Sequence, residues 1–440
     1  MRTGILVVAS LVLAGAGLTI WFVNSSVTPE YSQTADTRSY ADRAGTYYGD
    51  APGGDVDITV AIRELELPLF PGANAIWGAS GRDDQGHIWI GVSVEDEPAA
   101  NLIEYIPEQE RFVDHGDPVT ALKAIGRYQE GARQTKIHSK IIQGDDGYLY
   151  FSSMDEEGEK VMAGILPKWG SNLWRYSASE SRWEHLFHAP EGLVAITGAG
   201  RWIYALGYWD HVLYQYDTRT GQVRHTRVGS VGGHVSRNII ADMNGHAYVP
   251  RIEYYDLPGS AEEGGGETSR LLVTSLIEYD QNLDMVDSFP LIHYAGKERP
   301  RRNHGITGIS YLADHSIVFV TGTGYLYRII PSQNGPARVE DLGWIHPAGE
   351  SYTAALFPLD GHDWLLAVGK SRAPDKSEGT RYEVMIYNLR ERKSRTIPAK
   401  IPGYRYLLLY GSNTRDNSGN NYLVGRYDWH TPIIWQLSLE

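Results

Sequence analysis

The chain has 440 residues, with 40 Lys and Arg against 54 Asp and Glu, for a net charge of −14. At 42% hydrophobic and 11% aromatic it is not disordered, and its acidity excludes a nucleic-acid binder, which needs a basic footprint. With no Cys it has no disulfide, no zinc–thiolate site, no iron–sulfur cluster, no c-type haem attachment and no lipidated N-terminal Cys.

The run 4–23 carries no charged side chain, opening at Gly4 and closing on Trp21, Phe22 and Val23. Twenty helical residues span about 30 Å, the hydrocarbon thickness of a bilayer. Arg2 precedes the run, while Glu30 and Asp36 are the first charges after it, which places the N-terminus in the cytoplasm and the remainder outside. Ala14-Gly15-Ala16 also fits a signal-peptidase site. The run continues beyond it, and Trp21-Phe22 suits an interfacial anchor, so residues 1–25 are predicted to be a transmembrane signal anchor. Export without Cys fits the periplasmic side of a bacterial inner membrane. Residues 26–55 are polar, with Ser, Thr, Gly and Pro, and read as a linker.

From residue 56 onward no long stretch has a helical period. A short unit recurs instead: an apolar strand, a Gly or Asx turn, an aromatic strand, a variable loop, a third strand and a polar hairpin. The first copy holds Ala75-Ile76-Trp77-Gly78, the turn Asp84-Gln85-Gly86, His87-Ile88-Trp89-Ile90 and Leu102-Ile103-Glu104-Tyr105. The second holds Lys140-Ile141-Ile142, Asp145-Asp146-Gly147, Tyr148-Leu149-Tyr150-Phe151 and Leu173-Trp174-Arg175-Tyr176. Five more copies turn at Gly200, Gly245, His315, Gly361 and Gly419, a period of about 56 residues. A unit of this kind cannot bury both faces alone, and radial stacking of four-stranded sheets does so. Seven copies predict an all-β, seven-bladed β-propeller over residues 56–440. The last copy stops after its third strand, so residues 57–65 are predicted to supply the missing outer strand and close the ring. Polar insertions at 155–170 and 256–270 lengthen two units between their second and third strands.

No phosphate-binding Gly loop, H-E-x-x-H, G-x-S-x-G or EF-hand loop is present. What remains is positional: the residues just before each inner strand converge on one funnel. They are Asn74, His138, Lys140, His234, Arg237, Asn303, His304, Glu350, Tyr352, Tyr404 and Arg405. Three arrangements fit them. Polar side chains there can satisfy buried carbonyls. His138, His234 and His304 can bind one divalent metal through nitrogen, aided by a carboxylate. His and Tyr can act as base and acid while Arg neutralises a carboxylate, the kit for proton abstraction from an acidic sugar. His87, His246, His315 and His362 follow the inter-strand turns and belong to the opposite face. Lys297-Glu298-Arg299-Pro300-Arg301-Arg302 is the one dense basic cluster, suited to a solvated loop or an acidic partner.

The runs His138-Ser139-Lys140-Ile141, Asp145-Asp146-Gly147-Tyr148-Leu149-Tyr150-Phe151 and Asn172-Leu173-Trp174-Arg175-Tyr176 resemble blade motifs of bacterial exported propellers, loosely similar to streptogramin-lyase-like and SMP-30-like ones. The resemblance implies a fold in which some members are metal-dependent lyases or hydrolases and others only bind. It carries over no catalytic residue. Two functions follow as expectations. One is a membrane-anchored extracytoplasmic accessory subunit with a protein partner. The other is a lyase or hydrolase acting on an acidic saccharide or lactone-like substrate at the funnel.

Overall fold

The computed structural model describes residues 58–231, 234–256, 270–295, 305–359, 362–371, 381–402, 404 and 406–439. The anchor run with Gly4, Trp21, Phe22 and Val23, the linker, the basic cluster, Asn303, His304 and Arg405 lie outside these residues. Among the described residues no helix is long and apolar enough to cross a membrane.

The described chain is nearly all β, arranged in consecutive four-stranded antiparallel meanders. The first contains Ala73–Ala75, Ile88–Val94, Asn101–Ile106 and Arg111–Asp114, with Ser80–Arg82 as a second segment of its opening strand. The second runs from Lys136–Ile137 and Ile142–Gln143 through Leu149–Met154 and Ser171–Ser177 to Arg182–Ala189. The third, fourth and fifth open on Leu193–Ala199, Ile240–Ala241 and Ile306–Tyr311. The sixth, opening on Thr353–Pro358, and the last, opening on Leu408–Arg415, are joined into one sheet by a single parallel pairing of Ala355 with Ser412. Val60–Glu64 pairs antiparallel with Thr431–Leu439 and is the outer strand of the last meander, as expected for the closing segment.

The apolar core is divided into slabs, one between each pair of successive sheets. Trp89 meets Leu149 and Trp174 between the first and second, and Tyr150 meets Ile203 between the second and third. Tyr204 packs with Val249, Tyr248 with Phe319, and Val318 with Leu365. Phe357 packs with Trp435, and Ile90 and Tyr105 with Tyr422, so the last sheet also packs on the first. This pattern explains the sequence's wealth of Tyr. A strand buried on both faces needs apolar bulk, and a hydroxyl at the slab edge finds a partner, as Tyr204 Oη does on the Gly245 carbonyl at 2.6 Å.

The opening strands converge so closely that two glycines are obligatory. A Cβ at Gly81 would lie 1.6 Å from the Ile141 carbonyl, and one at Gly411 would lie 2.0 Å from that of Thr307. Ser80 Oγ and Ser412 Oγ, 3.2 Å apart, link the first and last opening strands.

The recurrent turns are tied by an Asp. Asp83 Oδ1 accepts from the N–H groups of Gln85 and His87, and Oδ2 accepts from Trp89 Nε1 at 2.9 Å. Asp242 does the same with Asn244, His246 and Tyr248, and Asp416 with Ser418, Asn420 and Tyr422. One helix went unread in the sequence. Pro118–Ala124 starts at Asp117, whose carboxylate accepts from Thr120 N at 2.8 Å, with Pro118 in its first turn.

Candidate functional site

The opening strands of the first, second, fourth and last sheets are interrupted near one another. In the first, Trp77 and Gly78 separate the two strand segments; in the second, His138 to Ile141 do so. In the fourth, residues 234–239 precede a strand only two residues long, and the last has a register break between Tyr410 and Thr414. The third, fifth and sixth keep continuous ladders apart from a bulge at the first residue. Backbone released from a ladder can aim side chains inward, and these four breaks supply Trp77, His138, Lys140, Arg237 and Tyr410 to the cluster described next.

Lys140 and Arg237 form its floor, both buried. Lys140 Nζ donates to the Gly411 carbonyl, and Arg237 Nη1 donates to the Trp77 carbonyl at 2.8 Å. These contacts reach from the second sheet to the last and from the fourth to the first. Arg237 also lies 4.3 Å over the Tyr410 ring. Trp77 is the hub. It packs 5.0 Å from Tyr410 and stacks with His138 at 6.3 Å, with Arg426 4.5 Å and Lys136 5.3 Å over its face. Tyr352 Oη donates to the Leu409 carbonyl at 3.0 Å, and Lys370 lies 5.3 Å over its ring.

The electrostatics are lopsided. Burial, with the Arg237 charge second, brings the Lys140 ammonium down to about 7. Among the described residues no carboxylate acts on Lys140. Burial likewise lowers Lys370 and Arg237, and raises the Tyr352 and Tyr410 hydroxyls. Trp77 Nε1, Arg426 Nε and Asn74 Oδ1 are buried with no hydrogen-bond partner among the described residues. The cluster therefore gathers five cations, of which Lys136 is paired with Glu156, and two unspent donors around three aromatic rings, in a chain of net charge −14.

The predicted funnel residues divide. His138, Lys140, Arg237 and Tyr352 join this cluster. His234 does not: it stacks on His211 at 4.3 Å and is fully buried. Its Nδ1 pairs with Ser230 Oγ at 2.8 Å and its Nε2 with Tyr294 Oη at 2.6 Å. Both nitrogens are spent inside the protein, so His234 does not fit a metal ligand, and no metal step is derived through it. His138 Nδ1 contacts the Val194 carbonyl at 3.3 Å. Tyr404 belongs to the closure, donating to Glu64 and stacking on Tyr427 at 4.3 Å. Glu350 is half-buried. Trp77, Tyr410, Arg426, Lys136 and Lys370 were missed. Aromatic residues inside an opening strand, where Ala and Ile otherwise dominate, were the available signal for Trp77 and Tyr410.

Two turn clusters have the chemistry of metal ligands. Asp83, His87 and Glu104 bring one ligand atom each within 4.8 Å of one another, as do Asp242, His246 and Glu278. Their ligand atoms are hydrogen-bonded within the protein. Glu104 accepts from His87 Nδ1 at 2.7 Å and His115 Nε2 at 2.9 Å, and Glu278 pairs with His246 and accepts from Ala337 N. These hydrogen bonds tie the turn and the third strand of each sheet together.

Burial alone would push the Glu104 carboxyl up, but the two histidine hydrogen bonds outweigh it and hold the group low. Its contribution to stability is present above the ordinary carboxylate value and is lost as pH falls through the lowered one. Glu104→Gln is expected to cost about 1–3 kcal/mol at pH 6–7. It is also expected to flatten the acid limb of the stability profile, read by urea unfolding from pH 3 to 7.

No family model matches the chain, and no curated protein matches it in sequence. Solved structures resemble it in fold. The extracellular domain of BT3049 from B. thetaiotaomicron, described as part of a hybrid two component system, is 14% identical over 82% of this chain, with a TM-score of 0.47. This chain spans 39% of that one's length. The β-propeller domain of Cps50 (Swd1) from Myceliophteria thermophila is 8% identical, covering 86% of this chain and all of its own, with a TM-score of 0.46. Oligogalacturonate lyase from Vibrio parahaemolyticus is 10% identical, covering 87% and 97% of the two chains, with a TM-score of 0.45. At these identities the likeness is one of fold alone.

Proposed function

We propose that residues 56–440 form one ring of seven blades whose channel mouth binds an acidic saccharide, held outside the cytoplasm by the run 4–23. The observation that carries the reading is the buried pair Lys140 and Arg237, set among aromatic rings at the convergence of the opening strands. Aromatic faces take the apolar side of a sugar ring, and the cations take its carboxylate. The same groups suit elimination chemistry, with Lys140 as base and Arg237 neutralising the carboxylate, and this is the second reading. The long polar insertion at 155–170 is the surface we assign to a protein partner.

Binding has a defined pH dependence. The free Lys140 ammonium titrates near 7, and a bound carboxylate raises it. Binding therefore takes up a proton above pH 7, and affinity falls up to about tenfold per pH unit there. Titration calorimetry of mannuronate at pH 6, 7 and 8, in two buffers of different ionisation enthalpy, measures both effects. Affinity that is flat from pH 6 to 8, or proton uptake of zero, counts against Lys140 as the anion's partner. Arg237→Met is expected to lose binding at every pH.

A further inference from the structure

At the rim of the same mouth stands a pair of exposed aromatic rings. Trp429 is 47% exposed and Tyr406 is 41% exposed, and their rings lie 5.4 Å apart. Tyr406 lies on the approach to the last sheet's opening strand. Trp429 lies in the turn between that sheet's second and third strands, Asn421–Tyr427 and Thr431–Leu439. The backbone that holds them is unusual. Asp428 and Trp429 have φ of 45° and 68°, and Tyr406 has 57°. None is Gly, and for side chains of this size a left-handed backbone is disfavoured. Such a conformation in a turn that leaves its Trp half in water gains little from packing.

The pair is wired to the floor of the mouth. Arg426 lies between two indoles, 5.2 Å over Trp429 and 4.5 Å over Trp77, and donates to the Trp429 carbonyl at 3.1 Å. From Trp77 the path continues to Tyr410, Arg237 and Lys140. The arrangement descends from exposed aromatic faces, past one cation, to buried cations.

We infer that Trp429 and Tyr406 form a stacking subsite for a second sugar ring, with Arg426 set to meet the acid group between the two rings, so that the ligand is an oligomer of uronic acid rather than a monomer. This rests on the acidic-saccharide reading of the mouth for its floor, but the rim is tested separately. The ring faces supply hydrophobic contact to a pyranose, and the two rings, tilted by 36°, form one adjoining aromatic surface.

The test compares mannuronate with its trimer by titration calorimetry on the full chain. The wild-type protein is expected to bind the trimer at least tenfold more tightly than the monomer. Trp429→Ala is expected to bring that ratio to about one, Tyr406→Ala to lower it severalfold, and Trp429→Phe, which keeps a ring face, to retain most of it. A wild-type ratio near one overturns the subsite, as does a ratio that survives both alanine variants. The mouth reading fails by a different result, monomer binding that persists in Arg237→Met. Trimer binding that then vanishes in Trp429→Ala still supports the rim.

Discussion

Between pH 7 and pH 9.5 the folded protein is expected to become more stable by about 3 kcal/mol, and Lys140→Met is expected to remove most of that gain. Burial brings the folded-state Lys140 down to about 7 from an ordinary value of 10.5. Below pH 7 both folded and unfolded chains carry the proton, and the folded state bears the full cost of a buried ammonium beside Arg237. Above pH 7 the folded chain releases the proton while the unfolded chain keeps it, so the unfolded state binds more protons and stability rises with pH. Each pH unit in this window is worth about 1.4 kcal/mol. Lys370, lowered by burial, adds in the same direction. His185 and His211 titrate near 4 and Glu191 near 7, so they act below the window, and the buried tyrosines act above it. At pH 7 Lys140→Met is expected to stabilise the fold by roughly 1–3 kcal/mol, because the lost hydrogen bond to Gly411 offsets part of the relieved charge burial. The same variant is expected to lose acidic-saccharide binding. Urea unfolding at pH 6.5 and 9.5, beside calorimetry, reads both. A wild-type protein equally stable at the two pH values contradicts the assignment of a buried ammonium.

Trp435→Ala is expected to cost about 3–5 kcal/mol, a cavity cost for a large buried side chain. Trp435 is fully buried in the slab between the last two sheets. Its Nε1 donates to Glu64 at 3.2 Å, Tyr404 donates to the same carboxylate, and the Tyr404 ring stacks with Trp435 at 6.3 Å. The variant thus loses a packing unit and one of the pins on the closing strand Val60–Glu64. Arg63 pairs with Gln436 and Glu110 in the intact strand, and tryptic cleavage at Arg63 is expected to speed up in the variant relative to the wild-type protein. Unchanged unfolding with no faster cleavage at Arg63 means that the closure does not depend on this indole. Beyond its ladder to Thr431–Leu439 this strand has only an isolated bridge from Val60 to Ala399, so its attachment rests largely on such pins.

The repeat and its closing strand were legible because they depend on local pattern. Alternating apolar residues, a turn Gly with positive φ at Gly86, Gly245 and Gly419, and an aromatic residue two places into the next strand all recur at one phase. The turn Asp is equally local, because it bonds N–H groups two and four residues on. Lys140, Arg237, His138 and Tyr352 share one phase, at the approaches to the opening strands.

Phase does not say which of those side chains meet. His234 has the same phase as Arg237 three residues on, yet turns into a closed pair with His211, while Arg237 crosses to Trp77. The choice depends on Tyr294 and Ser230, which offer His234 two partners from segments remote in sequence or outside any repeat. Tyr404 was drawn to Glu64, 340 residues away, for the same reason. By itself the amino-acid sequence determined the all-β repeat and the turn chemistry, because each follows from neighbours within a strand or turn. The meeting of Lys140, Arg237, Trp77 and Arg426 was decided only by tertiary structure. It needs four sheets to converge, and each side chain's partner is set by burial and hydrogen bonding across the axis rather than along the chain.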